Sequence, residues 1–218
     1  MNFQSKVEFQ AWPKTSRFFR DIVITEKIDG TNAAVQIIKA DNLTHWYHED
    51  GTRSWFDPQP LDAVMLESES YVVYAQSRNR LIDVKNDNAG FAGWVQKHAA
   101  ELVTFLGEGT HFGEWWGSGI QRGYGLSKGE KHFSLFNTHR FEEIQTVSDD
   151  LVRCVPVLFQ GPMEQQAITF ALEHLETYGS EAAPAFPKPE GICIYHTSSR
   201  LVQKVTLDNN DAGKWEHL

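Results

Sequence analysis

The sequence predicts an α+β fold of mainly antiparallel sheets with packed helices, on three observations. Short runs rich in β-branched and aromatic residues recur between turn residues. Two longer segments carry apolar residues at helical spacing. No repeat with a period of roughly 20–50 residues and no low-complexity tract divides the chain. Its 218 residues, 41% hydrophobic and 12% aromatic, are therefore expected to form one domain, 1–218, around a sizeable core.

The strand-like runs are, in order, 21–25, 33–38, 71–75, 110–116, 132–136, 152–159, 191–195 and 201–207. Val, Ile, Thr, Tyr and Phe recur in them, the residues that fit a half-buried pleated surface. A first helix is predicted where Phe91, Trp94, Val95, Leu102, Val103 and Leu106 fall near a helical period, with Gly107 as its stop. A second runs from Met163 to Tyr178, with Ile168, Ala171, Leu172 and Leu175 as its apolar stripe and Gly179 after it. Between 180 and 189, Pro184, Pro187 and Pro189 prevent a helix and mark a connecting loop.

The formal net charge of −9 argues against a surface coated with phosphate-binding cations, but the acid is unevenly placed. Residues 41–70 hold seven acidic residues and one basic, residues 141–190 nine and two, which leaves the rest net positive. An acidic body with a basic working face is the distribution expected. No apolar stretch approaches the roughly 18 residues of a membrane span, since 91–106 is interrupted by Gln96, Lys97, His98 and Glu101. The opening Met1-Asn2-Phe3-Gln4-Ser5-Lys6 has no apolar signal core, and the two cysteines, Cys154 and Cys193, fit a reduced interior. A cytoplasmic protein with no membrane partner is expected.

The run Thr25-Glu26-Lys27-Ile28-Asp29-Gly30-Thr31-Asn32 sets charge at the end of a strand. A lysine there, beside apolar core, is partly desolvated, which favours the neutral amine and makes Lys27 a candidate nucleophile toward a carbonyl or a phosphorus. Asp-Gly is equally the dipeptide of an ordinary hairpin turn, with Lys27 exposed. Glu114 lies between Gly113 and two tryptophans, a poor environment for an unpaired charge, so a functional role is expected for it. His45 and His48 have no carboxylate or cysteine cluster to complete a metal site and read as polar loop. Gly117, Gly119, Gly123 and Gly125 precede no Walker lysine and read as turns. Residues 117–140 hold four bases and one acid, and Arg122, Lys128 and Lys131 are expected to meet phosphates.

Lys27-Ile28-Asp29-Gly30 resembles the Lys-x-Asp-Gly signature of the covalent nucleotidyltransferases: DNA ligases, RNA ligases and mRNA capping enzymes. Further elements follow in the family's order. Ser77-Arg78-Asn79-Arg80 resembles the Ser-Arg element, and Phe112-Gly113-Glu114-Trp115-Trp116-Gly117-Ser118-Gly119-Ile120-Gln121 is similar to the Gly-Glu motif. Its Gly-x-Gly-Ile-Gln continuation looks like the RNA-repair ligases related to the second RNA ligase of T-even phages. Phe133-Ser134-Leu135-Phe136-Asn137 resembles the aromatic motif, Pro189-Glu190-Gly191-Ile192 the Glu-Gly motif, and Gln203-Lys204-Val205-Thr206 the closing lysine motif. That motif usually has two lysines separated by one residue; here Val202 and Thr206 stand at the alternative positions.

The resemblance implies an adenylyltransferase core using ATP and Mg²⁺, with Lys27 as nucleophile. Lys204 would sit near the α-phosphate, and Arg78, preferred over Arg80 because it directly follows Ser77, would fork a phosphate or a nucleic-acid end. Glu114 would accept the ribose hydroxyl, Glu190 would engage a hydrated Mg²⁺, and Phe136 would stack on adenine. Asn32 would orient the phosphate site, and Glu26 belongs to the implied nucleotide-contacting set. The expected activity is RNA ligation at nicks or strand ends, on RNA or a DNA–RNA hybrid, by a monomer with or without a separate end-binding partner. Two alternatives stay open: a minimal DNA ligase, and an end-binding protein that has lost ligation. DNA ligases and capping enzymes usually append an OB-fold of about a hundred residues; with eleven residues after Leu207, none is expected here.

Overall fold

The computed structural model describes residues 9–39 and 59–208. Most of the acidic segment 41–70, with His45 and His48, lies outside the described residues. In β1, Asp21–Lys27, burial alternates: Ile22, Ile24 and Glu26 are buried, while Val23, Thr25 and Lys27 are half-buried. This is the period-2 signature of a strand with one face in a core. There follow β2 (Thr31–Lys39), β3 (Asp62–Leu66), β4 (Glu69–Ser77), β5 (Leu81–Ile82), α1 (Phe91–Lys97), α2 (Ala99–Leu106), β6 (Gly109–Gly117) and β7 (Lys131–Leu135). The chain continues with α3 (Ile144–Val147), β8 (Arg153–Cys154), β9 (Val157–Pro162), α4 (Gln165–Tyr178), β10 (Gly191–His196) and β11 (Leu201–Thr206).

The strands form two sheets. One has four strands in the order β11-β10-β1-β9; the other has seven, in the order β3-β4-β2-β6-β7-β8 with β5 paired to β4. Every pairing is antiparallel except β7 with β8. The expected α+β class is therefore the one observed.

Three expectations change in detail. The helix expected across 91–106 is two helices, because His98 leaves the helical region at φ −112° and ψ 21°. The run 152–159 is two strands flanking Pro156, which has no N–H for a ladder; its carbonyl instead accepts from Glu26 N, beside a register shift between Ile24 and Thr25. The short strands β3 and β5 were not expected, since neither Asp62–Leu66 nor Leu81–Ile82 alternates strongly enough to announce itself. The stops hold: Gly107 N donates to Val103 O and Gly179 N to Leu175 O, both at positive φ.

Each sheet buries one face under helices. On the four-stranded sheet, Ile22, Ile24, Ile192 and Ile194 pack against Ala167, Ile168, Ala171 and Leu175 of α4. On the seven-stranded sheet, Ala33, Val35, Ile37, Trp115, Phe133 and Leu135 pack against Phe91, Val95, Leu102 and Leu106. Each fully buried large side chain contributes about 1.5–3 kcal/mol. By strand alternation, Lys27 and Glu114 lie on the opposite faces, turned away from the helices. Exposed Glu173 and Glu176 on α4 stand behind the four-stranded sheet, so this part of the acid lies at the back, as expected. No described helix is long and apolar enough to cross a membrane.

Candidate active site

Lys27 ends β1, and its Nζ donates to Glu190 Oε2 in an ion pair whose side chains keep 23% and 16% of their exposure. Glu190 directly precedes β10, whose first residue, Gly191, is the register partner of Lys27. A Cβ on Gly191 would stand 2.2 Å from Val205 O and 2.8 Å from Thr206 Cα. Only glycine lets β11 lie this close to the start of β10, while the pairing of Gly191 with Lys27 brings Glu190 to the amine. Lys27 is thus paired at the strand end and is not the exposed lysine of an ordinary hairpin turn.

After Lys27 the chain turns into β2 at Asp29-Gly30, and both residues are engaged. A Cβ on Gly30 would lie 2.5 Å from Trp115 O and 2.7 Å from Trp116 Cβ, so the turn can press onto β6 only as glycine. That contact lets Gly30 N donate to Glu114 Oε1 at 3.1 Å. Asp29 N donates to Tyr124 Oη at 2.8 Å, and Arg122 Nε donates to Asp29 Oδ2 at 3.0 Å. This is no open hairpin turn. Tyr124 is 2% exposed and held in the left-handed region at φ 50° and ψ 31°, a backbone cost that surrounding contacts must sustain.

Arg122 was expected to meet phosphates, but the protein itself occupies its guanidinium. Beyond Asp29, Nη1 donates to Lys188 O at 3.1 Å and Pro189 O at 3.4 Å, and Nη2 pairs with Asp208. One side chain thus ties the turn after Lys27, the loop before Glu190 and the residue after Leu207. Lys131 is likewise engaged, with Nζ donating to Ala89 O at 2.9 Å, whereas Lys128 is exposed.

The electrostatics follow from burial. Glu114 is pushed up to about 7, first by desolvation and then by the nearby Glu190 and Asp29, against the opposing pull of Lys27 and the Gly30 N–H. Burial raises the Tyr124 phenol, which stays neutral and accepts from Asp29. Burial also raises the Cys193 thiol, which feels the charges of Lys27, Glu190, Glu114 and Lys204 together. Lys204 enters through register: it pairs with Cys193, which pairs with Thr25, so Lys204 shares the Lys27 face and is exposed.

The seven-stranded sheet presents its own face in cross-strand rows. Asn32 pairs with Glu114, which pairs with Ser134. The next row holds Gln76, Ala34 and Phe112, and Phe136 N donates to Phe112 O at 3.0 Å. Phe112 and Phe136 keep 49% and 43% exposure, two rings on one face beside Glu114. Phe112 was missed at the sequence level, although its place two residues before Glu114 in a strand puts it on the same face. Arg78 lies just past β4, exposed and unheld among the described residues, while Arg80 donates to Asn86 O at 3.0 Å.

Glu26 faces the other way. It is 1% exposed and accepts from Ser180 Oγ at 2.6 Å and from the N–H groups of Glu181 and Ala182, both at 2.9 Å. Its carboxylate fixes the 180–183 loop to β1, so a side-chain contact with a nucleotide would displace these bonds. Burial outweighs those bonds and raises its pKa. No described cluster of three or more His, Cys, Asp or Glu is arranged to hold a metal. The donor set, Glu190 with Glu114 nearby, suits a hydrated hard cation that takes its remaining ligands from water and nucleotide phosphates.

Two sheets backed by helices, meeting at a strand-end lysine, form a nucleotidyltransferase-like fold. The chain belongs to the RNA ligase family, whose profile matches residues 20–215. Its fold is similar to that of the Naegleria gruberi RNA ligase bound to pyrophosphate, at a TM-score of 0.52 and 17% identity over 85% of this chain and 49% of that one. A variant of that ligase with AMP and manganese gives 0.51 and 17% over 87% and 50%. A variant with ATP and manganese gives 0.50 and 16% over 87% and 50%. The chain thus spans about half the length of the Naegleria gruberi protein. No curated protein matches it.

Proposed function

We propose that the protein is an ATP-dependent RNA ligase of the RNA-repair branch that resembles the second RNA ligase of T-even phages. Residues 1–218 act as one adenylyltransferase/RNA ligase domain, in the cytoplasm and as a monomer. The observation that carries this reading is the convergence of Lys27, Glu190 and Glu114: the amine on one carboxylate, the other carboxylate on the N–H three residues beyond the lysine. Lys27 releases a proton to solvent, leaves Glu190 as the neutral amine and attacks the α-phosphorus of ATP; a P–N bond forms, the P–O bond to pyrophosphate breaks, the second amine proton passes to solvent, and lysyl-AMP results. AMP then passes to a 5′-phosphate, and a 3′-hydroxyl displaces it to close the phosphodiester.

Phe136, with Phe112 beside it, offers the stacking face for adenine, and Glu114 the acceptor for a ribose hydroxyl. Asn32, Arg78 and Lys204 would face the phosphates, and Glu190 would hold the hydrated Mg²⁺. That ion supplies charge neutralisation to the phosphates when bound. RNA at nicks or ends is the substrate, DNA–RNA hybrids included, with any separate end-binding partner acting outside this core.

A second reading is favoured by the single exposed lysine of β11: a fold that binds ends without sealing them. Both readings meet one experiment, in which ATP, Mg²⁺ and a nicked duplex are supplied with either an RNA or a DNA strand bearing the 3′-hydroxyl. Faster sealing of the RNA-terminated nick is expected. Equal rates on both would remove the RNA preference, and end affinity with no adenylylated RNA and no sealed product would establish the second reading.

A further inference from the structure

Residues 9–20 enter the fold as an irregular segment whose every residue is exposed. Phe9, Trp12, Phe18 and Phe19 keep 93%, 90%, 60% and 81% of their exposure, a concentration of bare aromatic surface that water disfavours. Lys14, Arg17 and Arg20 lie among these rings, with no acidic residue between 9 and 20, on a chain whose net charge is −9. The inner end of the segment is anchored. Phe18 O is hydrogen-bonded to His196 Nε2 at 2.6 Å, and Arg20 O accepts from Met163 N at 3.0 Å. Phe18 and Phe19 therefore stand at the end of the four-stranded sheet opposite Lys27, and Trp12 lies on the exposed chain that leads to them.

From there the helix-free face of that sheet leads to the candidate nucleophile. Alternation and register put Val23, Thr25 and Lys27 of β1 on this face, with Cys193 and Tyr195 of β10 and Val202 and Lys204 of β11. Tyr195 and Val202 keep 38% and 64% exposure. At about 3.3 Å per residue, β1 from Asp21 to Lys27 spans about 20 Å. That length accommodates about six stacked nucleotides at about 3.4 Å each. Rings that stack without regard to sequence, interleaved with cations, are the pattern that takes single-stranded nucleic acid. Asp21 is the acidic residue at the head of this track, and Arg20 stands next to it in the chain.

We propose that residues 12–20 dock the single-stranded RNA flanking the reacting end, with bases on Trp12 and Phe19 and phosphates on Lys14 and Arg17, and that the strand follows the exposed sheet face to Lys27. This rests on the RNA ligase reading, and the test separates the two. Wild type, Trp12→Ala/Phe19→Ala and Lys14→Ala/Arg17→Ala are compared for covalent AMP formation from ATP, and for binding of a short labelled 5′-phosphorylated single-stranded RNA by anisotropy at several salt concentrations. The aromatic variant is expected to lose at least about tenfold in affinity, since each stacked base is worth about 1–3 kcal/mol. The cationic variant is expected to lower the slope of log affinity against log salt by about 1.4, at about 0.7 per phosphate contact on a single strand. Both variants are expected to keep wild-type AMP formation and melting temperature, because the changed residues lie outside every strand and helix. RNA affinity and salt slope equal to wild type in both variants would overturn the proposal. A wild-type chain that takes up no AMP would instead overturn the ligase reading, leaving the RNA-binding comparison to stand alone.

Discussion

Glu114 is the residue whose chemistry depends most on what surrounds it. Its carboxyl is raised from 4.5 to about 7 because it is buried beside Glu190 and Asp29, with the Lys27 charge and one N–H only partly offsetting this. The folded protein therefore binds this proton more tightly than the unfolded chain. Its contribution to stability is greatest below about 4.5, falls as pH rises, and levels off above about 7. Glu114→Gln removes the titration, so urea midpoints of the variant should decline less across this interval than those of wild type. Parallel declines in both proteins would show that Glu114 is not the group responsible. Glu26, also raised by burial, titrates in both and does not confound the difference. Adjacent in sequence, Glu26 and Lys27 fall on opposite faces of β1: one carboxylate fastens a loop while the amine meets the cleft.

At the scale of elements, Arg122 joins three segments far apart in sequence, and each borders a motif. Arg122→Ala is expected to slow formation of lysyl-AMP by at least about tenfold while the protein stays folded, since hydrogen bonds to charged groups are worth about 1.5–3 kcal/mol and several are lost together. Arg122→Lys should restore little, because an ammonium cannot reproduce the planar fork that meets Asp29 and two carbonyls at once. Wild-type rates in the alanine variant, read by pyrophosphate release, would mean that the three segments hold their places unaided. The sequence shows Arg122 only as one more base in a glycine-rich stretch, and nothing local distinguishes a residue that staples loops from one that meets phosphate. Lys27, Glu114 and Glu190 were legible because each sits in a short motif that contains a glycine. Their convergence was not, since it depends on β1 pairing with β10, far along the chain, and on Gly30 lacking a Cβ against Trp115 and Trp116. Likewise the strands dense in Val, Ile and Phe announced themselves, whereas β3 and β5 exist only because β4 offers them an edge. The break at His98 leaves no mark in the apolar period, which continues in phase from α1 into α2.

Over the whole molecule, function is divided between the two faces of each sheet. The helix-covered faces hold the apolar cores, and the faces turned from the helices hold Lys27, Glu114, Lys204 and the rings of Phe112 and Phe136. Glu173 and Glu176 of α4 stand behind the four-stranded sheet, while Glu190, Glu114 and Asp29 stand around Lys27, so the described acid lies on both sides. On the proposed function, Lys27 is the nucleophile that receives AMP. Incubating the intact chain with ATP and Mg²⁺, and mapping any covalent AMP by mass spectrometry, tests it most directly. One AMP on Lys27 and none on Lys27→Ala is expected; a Lys27→Ala chain that still acquires AMP, or a wild-type chain that never does, would contradict Lys27 as the nucleophile.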